Sequence, residues 1–354
     1  MIKNPAEGGP VFKALEDAGF DGAYTWEGSH DPFLPLVSAA MSTKKIELLT
    51  SIAVAFARNP MNLANIAYDL NLLSKGRFIL GLGSQIRPHI TKRFSMPWSK
   101  PAARMEDMVN AIKSILNAWQ TGSRLEHLGE FYTHTLMTPL FNPGPNPHGI
   151  PKIYVAAVGP LMTKAVARSA DGLLAHPFSS PKYLKNITLP NIDEGLQSSN
   201  RTRTEFDLSI AIMTGIGANE ESHKKAVRAC RDQVAFYAST PNYKAVLEQH
   251  GYEDLSEELN RLSKAGQWKK MGDAIDDEVL NTFAVISEDP DELAKEIMRR
   301  YGNQGQRIAP ILYSGELELM PPVLEALKII PCEYLVEIGL SFFKKSLNGF
   351  QAVF

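Results

Sequence analysis

The sequence is poor in the features that mark several large classes of protein. It has two cysteines, Cys230 and Cys332, which lie far apart and outside the spacing of a zinc or redox motif. No apolar run reaches the length of about 18 residues that a transmembrane helix needs, and the N-terminal stretch MIKNPAEGGP lacks the apolar segment of a signal peptide. A formal net charge of -2 leaves no basic excess for nucleic acid. We therefore expect a cytoplasmic protein with reduced cysteines that binds neither membranes nor nucleic acid.

Common catalytic motifs are also missing. The sequence contains no HExxH, and its acidic residues do not gather around a pair of histidines, so we expect no bound metal. It contains no G-x-S-x-G elbow and no P-loop. The stretch GLGSQI at residues 81–86 has Ile86 where a dinucleotide-binding motif has its third glycine. These absences argue against the common metal, serine-nucleophile and dinucleotide sites.

Short apolar strands alternate with longer helical patterns along most of the chain. The 354 residues are 44% apolar, which is enough for a large core. The apolar runs are continuous and rich in β-branched residues, as is typical of parallel strands buried on both faces. We predict strands at residues 21–26, 46–56, 77–83, 152–158, 171–176, 206–216 and 307–313, and helices at residues 11–18, 35–42, 60–74, 101–119, 161–169, 181–199, 222–237 and 290–301. Such alternation fits a doubly wound sheet or a (β/α)8 TIM barrel, and the number of units favours the barrel.

Two segments interrupt this alternation. Residues 121–151 alternate around residues 130–135 and then become rich in proline, glycine and asparagine, which predicts a small hairpin followed by irregular chain. Residues 240–281 are helical and charged, which predicts an inserted helical pair. Long insertions in compact domains are often lids or walls of a binding site. We expect one barrel domain over residues 1–317 that carries both insertions.

Ionisable side chains crowd into the stretch TWEGSHDPFLP at residues 25–35, directly after the first predicted strand. Catalytic groups of barrel enzymes lie at the C-terminal ends of the strands, so Glu27, Ser29, His30 and Asp31 would face such a site. Ser29 or Asp31 could instead cap the next helix, and for Asp31 this alternative stays open. For His30 a functional role is favoured, because other strand ends carry related chemistry.

Two further strand ends carry polar side chains. Arg58 precedes a helix that starts with proline, where it could meet an anion of a substrate or cofactor; a surface ion pair is the alternative. Gly81 and Gly83 end the strand at residues 77–83, and their missing side chains would let a planar ring lie against the backbone. The loop that follows this strand carries the polar side chains of Gln85, Arg87 and His89.

The strand at residues 152–158 is followed by a helix within two residues. Backbone N–H groups at the start of a helix bind anions such as phosphate. Pro160 has no N–H, so the donors would be Gly159, Leu161 and Met162. The next strand ends at His176, another histidine at a strand end.

At this point the sequence resembles the bacterial luciferase-like superfamily of flavin and deazaflavin oxidoreductases, and within it the branch that depends on coenzyme F-420. The resemblance covers residues 16–313. The motifs that carry it are AGFDGAYTWEGSHDPFLPLVSAA (18–40), TSIAVAFARNPMNLA (50–64), LLSKGRFILGLGSQIRPHITKRFSMPW (72–98), FNPGPNP (141–147), PKIYVAAVGPLMTKAVARSADGLLAHPF (151–178) and FYASTPNYKAVLEQHG (236–251).

The resemblance implies a (β/α)8 barrel with a flavin-type ring in its mouth. His30 matches the histidine near the reactive centre of the ring. The cofactor would be held by three segments: Ser51–Ile52, where relatives have a cis peptide beneath the ring; the loop of Gly83, Ser84 and Gln85; and the phosphate segment Val158–Gly159. The family also implies a small-molecule substrate and a homodimer.

We accordingly expect hydride transfer between F-420 and a small organic substrate, with His30 as the proton donor or acceptor. Glu27 could orient His30, while His89 or His176 could meet the substrate. One alternative keeps the fold and uses reduced FMN (FMNH2) with oxygen, as a monooxygenase. Another is a non-catalytic flavin-binding remnant.

Three departures from the family pattern qualify this expectation. Ile86 stands where some deazaflavin-dependent sugar-phosphate dehydrogenases have an acid, which argues against a sugar-phosphate substrate. The residues before Val11 are too few for the first strand of the family, so a truncated first strand is expected. The tail at residues 318–354 matches nothing in the family; it is apolar enough to pack as a helix or to cover a barrel edge.

Overall fold

The computed structural model describes residues 4–315, 317–329 and 351–352. Backbone contacts divide the chain into two compact units. The first comprises Met1–Leu174 and Asn191–Asp207, and the second comprises Ala175–Pro190 and Leu208–Phe354. The single barrel domain over residues 1–317 stays a prediction. Among the described residues, no helix combines the length and apolar character needed to cross a bilayer.

The first unit is a parallel sheet with helices between its strands. Its helices are α1 Gly8–Asp17, α2 Leu34–Ser42, α3 Pro60–Leu73, α4 Pro101–Thr121 and α5 Pro160–Ser169. Its strands are β1 Gly22–Thr25, β2 Glu47–Thr50, β3 Ala53–Val54, β4 Phe78–Gly83, β5 His127–Leu128, β6 Thr133–His134, β7 Lys152–Ala157 and β8 Gly172–Ala175. Strand β1 pairs with β2, β2 and β3 pair with β4, and β4 pairs with β7, all in parallel. The carboxyl ends of these paired strands therefore fall on one edge of the sheet.

Local sequence explains where the helices of the first unit start and stop. Proline occupies the first turn of α2, α3, α4 and α5, where a missing N–H costs no hydrogen bond. The side chain of Asn59 caps α3 by accepting from the Asn62 N–H. Helix α4 ends at Gly122, whose φ of 71° suits the left-handed conformation of a helix C-cap.

The elements from residue 181 onward complete the chain, and most of them belong to the second unit. The helices are α6 Pro181–Tyr183, α7 Leu189–Ser198, α8 Glu220–Ala238, α9 Lys244–Glu248, α10 Glu253–Lys264, α11 Trp268–Asp273, α12 Asp277–Phe283, α13 Pro290–Tyr301 and α14 Met320–Ile329. The strands are β9 Asp207–Ile216, β10 Ala284–Ser287, β11 Arg307–Gly315 and β12 Gln351–Ala352. Strands β10 and β11 both pair with β9, and β12 pairs with β11, again in parallel.

The predicted parallel α/β organisation is confirmed in both units, with three corrections. The strand predicted at residues 46–56 is two strands, β2 and β3, because the chain breaks its ladder at Ser51 and Ile52. The insertion at residues 240–281 is not a helical pair: it holds α9, α10, α11 and the start of α12. Strand β10 was not predicted, since its four residues directly follow that helical insertion.

Two other predictions concern the hairpin and the tail. Strands β5 and β6 form the expected antiparallel hairpin, with His127 opposite His134. In the tail, residues 320–329 form α14, while β12 lies alongside β11; the tail residues between α14 and β12 lie outside the described part of the chain. Cys230 is buried and free, and its burial raises the pKa of the thiol to about 12. Cys332 lies outside the described residues.

Candidate functional site

The stretch after β1 is held to the segment after β3 by one arginine. Arg58 Nη1 donates to Glu27 Oε2 across 2.6 Å, and Arg58 Nη2 donates to Asp31 Oδ2 across 2.9 Å. The Val54 N–H donates to the same Glu27 oxygen across 2.7 Å. The Glu27 side chain is only 7% exposed, so its negative charge is neutralised largely by Arg58. Arg58 therefore forms ion pairs with Glu27 and Asp31, which was the alternative to binding an anion of a substrate or cofactor.

The hydrogen bonds of Glu27 are made to the segment after β3, and a role in orienting His30 stays a prediction. Its side chain bonds to Arg58 and Val54, and among the described residues no hydrogen bond joins it to His30. Asp31 also has a local role, because its Oδ1 accepts from the Phe33 N–H across 2.8 Å just before α2. His30, between them in sequence, is exposed.

The peptide bond between Ser51 and Ile52 is cis, as the family resemblance implied. The Ser51 N–H donates to the Thr25 carbonyl across 2.7 Å, and the Glu27 N–H donates to the Ile52 carbonyl across 3.0 Å. These two bonds join the ends of β1 and β2 and fix where the stretch containing His30 leaves the sheet.

The two glycines of β4 are needed for packing within the sheet. A Cβ atom on Gly81 would lie 1.7 Å from the Thr50 carbonyl oxygen, and one on Gly83 would lie 2.7 Å from Cγ1 of Ile52. Thr50 Oγ1 also bonds both the N–H and the carbonyl of Gly81, at 2.9 Å and 2.7 Å. Close approach of Thr50 and Ile52 thus accounts for glycine at both positions, and the predicted room for a planar ring stays a prediction.

The loop after β4 exposes its polar side chains at the same strand edge. Gln85 has a φ of 58°, and its side-chain oxygen accepts from the Ile86 N–H across 3.0 Å. Arg87 and His89 are exposed, and Ser84 and Gln85 are half-buried. Ser84 and Gln85 thus bond within the loop, whereas the side chains of Arg87 and His89 are exposed to solvent.

Two arginines that sequence analysis did not select tie this region together. Arg93 Nη2 donates to the Gly28 carbonyl across 2.8 Å, which links the loop after β4 to the stretch after β1. Arg104 is 7% exposed, lies 4.8 Å above the Phe56 ring and donates to the Tyr132 hydroxyl across 2.9 Å. The sequence analysis selected residues that directly follow the carboxyl ends of strands. Neither arginine lies at such a position, so that criterion could not identify them.

Helix α5 offers an open N-terminus. Gly159 is its N-cap, no side chain caps the first turn, and a Cβ atom on Gly159 would meet nothing within 4 Å. Leu161 is exposed and Met162 and Val158 are half-buried. The free N–H groups and the empty space beside Gly159 fit the phosphate of a flavin-type cofactor.

In the second unit, His176 follows β8 and is enclosed by tyrosines. Its Nε2 lies 3.0 Å from the Tyr243 hydroxyl, and its Nδ1 accepts from the Phe178 N–H across 3.2 Å. Burial lowers the pKa of His176 to about 3. Both ring nitrogens therefore have a hydrogen-bond partner within the protein, and contact of His176 with a substrate stays a prediction.

A groove of about 810 Å³ lies in the first unit at the opposite ends of the strands. Lys152 opens β7, and Asp171 immediately precedes β8. Two ion pairs line the groove, with Lys113 Nζ 2.6 Å from Asp171 and Lys152 Nζ 2.9 Å from Asp207. Because barrel chemistry sits at the C-terminal strand ends, we do not assign the active site to this groove.

Comparison with known proteins places this geometry in context. The profile of the luciferase-like monooxygenase family matches residues 3–307. An uncharacterized protein of Mycobacterium tuberculosis is 50% identical over 312 residues, which cover 88% of this chain and 92% of that protein. The 5,10-methylenetetrahydromethanopterin reductase of Archaeoglobus fulgidus is 30% identical over 295 residues, which cover 80% and 83%.

A solved structure agrees in fold. The coenzyme F-420-dependent tetrahydromethanopterin reductase of Methanopyrus kandleri matches with a TM-score of 0.73 and 22% identity, covering 93% of this chain and 96% of that one. The predicted fold class is confirmed: this parallel α/β structure matches the luciferase-like type of TIM barrel.

Proposed function

The chain belongs to the luciferase-like monooxygenase family of oxidoreductases, and we propose that it transfers a hydride between the deazaflavin coenzyme F-420 and a small organic substrate. The choice of F-420 is supported by the solved reductase of similar fold, which depends on that coenzyme. The 30% identical relative is also a reductase. Reduction by both of these enzymes is the kind of reaction that a hydride-carrying coenzyme serves.

The observation that carries the proposal is the open N-terminus of α5. Gly159 leaves free space beside three backbone N–H groups, those of Gly159, Leu161 and Met162, and no side chain of the protein occupies them as a cap. An anionic group at this point would be stabilised by those donors and by the helix dipole. Val158 leads the chain into this turn, as the phosphate segment of the family does.

The remaining cofactor contacts are proposed for the strand ends of the same unit. Ser51 and Ile52 would lie beneath the ring, with Gly83, Ser84 and Gln85 along its side. When bound, the deazaflavin supplies the hydride chemistry, and the protein orients the ring and excludes water. Arg87 and His89, both exposed, are proposed contacts of the substrate.

His30 is proposed to hold or deliver the proton that accompanies hydride transfer. An imidazole is suited to this because its ordinary pKa lies near neutral pH. The paired Glu27 and Arg58 keep the stretch in place around it, so Glu27 supports the loop and is not itself the proton carrier.

A second candidate function is favoured by the family itself, whose description names monooxygenases. Reduced FMN carries a phosphate on a similar chain, so the α5 site does not discriminate between the two cofactors. The test is a pair of assays on the same preparation. Oxidation of reduced F-420 by substrate without oxygen supports the proposal, whereas oxygen uptake that requires reduced FMN would replace it.

A further inference from the structure

Every ionisable side chain in the loop that follows β4 is basic. Residues 84–98 form this basic loop, and they include Arg87, His89, Lys92 and Arg93 but no aspartate or glutamate. All four of these side chains are exposed. The chain as a whole has a formal net charge of -2. The basic loop therefore concentrates positive charge on a protein that is slightly acidic.

The lysine and the two arginines of the basic loop form no ion pair among the described residues. Exposed basic residues on the helices behave differently, since Lys224 pairs with Glu220 and Arg299 pairs with Glu296, each acid lying three or four positions away. Residues 70–105 contain no acid at all, so the basic loop has no such neighbour in sequence. Its N–H donors are thus open to an anion from outside the protein.

The backbone of the basic loop is held by contacts with the core of the first unit. The side chain of Ile90 is fully buried, and the Met96 N–H donates to the Ile90 carbonyl across 2.9 Å. A π-helical turn at His89–Arg93 is closed by the Phe94 N–H, which donates to the His89 carbonyl across 3.0 Å. Because this backbone is already ordered, a ligand that binds here does not have to order it.

Arg93 shows which way the basic loop faces. Its Nη2 donates to the Gly28 carbonyl across 2.8 Å, and its guanidinium lies 4.8 Å above the Phe94 ring. Gly28 comes two residues before His30 in the stretch after β1. A guanidinium has five N–H donors, and only this one bond to a described residue uses them. The basic loop therefore lies beside the stretch that carries the proposed proton donor.

The order of the strands separates the basic loop from the N-terminus of α5. In the first unit, β4 pairs with β2 on one side and with β7 on the other, and β1 lies beyond β2. Helix α5 follows β7, whereas Arg93 reaches from the end of β4 towards the stretch after β1. An anion bound at the basic loop is accordingly a second anion, distinct from the phosphate proposed at α5.

We propose that the basic loop binds an oxyanion of the substrate, a carboxylate or a phosphate remote from the carbon that exchanges the hydride, with Arg87 and Arg93 as its main contacts. The planar fork of a guanidinium donates two parallel hydrogen bonds to either oxyanion. Lys92 adds positive charge on the same loop, which attracts anions to it. The inference rests on the proposed function, because it names the substrate class of that reaction.

The test uses full-length protein loaded with oxidised F-420, and the probes are glutarate, inorganic phosphate and the uncharged glutaramide. Calorimetric titration of wild type should show binding of at least one anion, weakening as the ionic strength rises, and no binding of glutaramide. Arg87→Gln and Arg93→Gln should each weaken binding of that anion about tenfold, because each removes a charge-assisted hydrogen bond. The matched control is Arg124→Gln, which removes another exposed arginine of the first unit without an ion pair among the described residues and should bind as wild type does.

A second titration identifies which molecule carries the anion, since F-420 itself has a phosphate and carboxylates. The proposal predicts that wild type, Arg87→Gln and Arg93→Gln bind F-420 equally. The comparison ligand is the deazaflavin ring with its sugar-alcohol chain but without phosphate or carboxylate. If both variants weaken binding of F-420 and leave binding of this shorter compound unchanged, the anion belongs to the coenzyme and the substrate assignment is overturned.

The outcomes separate this inference from the proposed function. If wild type binds F-420 but neither anion, or if the two variants bind the anions as wild type does, the inference is overturned and the F-420 function stands. An equal loss in Arg124→Gln would show general electrostatic attraction in place of a site and would also overturn it. If wild type binds no F-420, the proposed function fails, and the basic loop loses its assignment to the substrate even where it binds an anion.

Discussion

Arg58 Nη1 lies 2.6 Å from Glu27 Oε2, and this contact explains why ionisable residues crowd where β1 ends. The guanidinium also reaches Asp31, so two carboxylates of that stretch serve as its counter-ions. These ion pairs hold the loop in place, and the side chain of His30 on the same loop is exposed to solvent. The crowding thus combines a structural ion pair with one candidate catalytic group.

Loss of Arg58 should therefore be costly. Arg58→Ala leaves the Glu27 carboxylate, which is 7% exposed, without its cation, and we expect the free energy of unfolding to fall by about 2–3 kcal/mol. Urea unfolding measures this change. The control is Lys224→Ala, which breaks the exposed pair with Glu220 and should cost less than about 0.5 kcal/mol. Equal losses in the two variants would show that the Arg58 pair is an ordinary surface contact.

His30→Ala should separate catalysis from binding. The side chain is exposed, so its removal should leave stability and cofactor affinity unchanged. Turnover should drop by about 100-fold or more, since general acid–base groups contribute on that scale. His148→Ala removes another exposed histidine and serves as the control. Full turnover in His30→Ala would remove its proposed role, and a wild type that binds cofactor without any turnover would indicate the non-catalytic alternative.

Two glycine substitutions should affect different properties: Gly81→Ala the stability of the fold, and Gly159→Ala the affinity for the cofactor. In Gly81→Ala the new Cβ would lie 1.7 Å from a backbone oxygen, and we expect a loss of more than about 3 kcal/mol or no folded protein. In Gly159→Ala the new methyl group meets nothing within 4 Å and the φ of -77° suits alanine, so the melting temperature should be unchanged. Cofactor affinity should nevertheless fall about tenfold, because the methyl group fills the proposed phosphate space. Unchanged affinity would place the phosphate elsewhere.

The buried imidazole of His176 should make the protein sensitive to acid. Its pKa is about 3 in the folded chain and 6.5 ordinarily, so between these values the unfolded chain takes up a proton that the folded chain does not. Stability is therefore complete above pH 6.5 and declines as the pH falls, by about 2 kcal/mol at pH 5.

Urea unfolding of wild type and His176→Gln at pH 8 and pH 5 measures this contribution. The difference at pH 8 reports packing alone, and the extra loss of wild type at pH 5 reports the titration. A wild type and variant that lose the same stability between the two pH values would contradict the low pKa of His176.

Much of the fold could be predicted because its signals are local. Apolar runs, proline at the first turn of α3 or α4, and glycine at the end of α4 each act through neighbouring residues. The break between β2 and β3 could not be predicted from hydrophobicity, because residues on both sides of it are equally apolar. Strand β10 was hidden by its position between two helices.

The strand ends that carry the candidate residues were predictable, whereas the contacts between those residues were not. The strand-end rule located Glu27, His30 and Arg58, but it could not show which of them pair. The partner of His176 is Tyr243, 67 residues further along the chain, and only the folded second unit brings the two together.

The measurement that tests the central claim most directly is a binding titration of the purified protein with oxidised F-420 and with FMN in parallel, followed by fluorescence quenching. The account predicts that F-420 binds at least tenfold more tightly than FMN and that Gly159→Ala weakens this binding. Tighter binding of FMN would contradict the account and indicate a flavin-dependent monooxygenase, and binding of neither would contradict the proposed cofactor site.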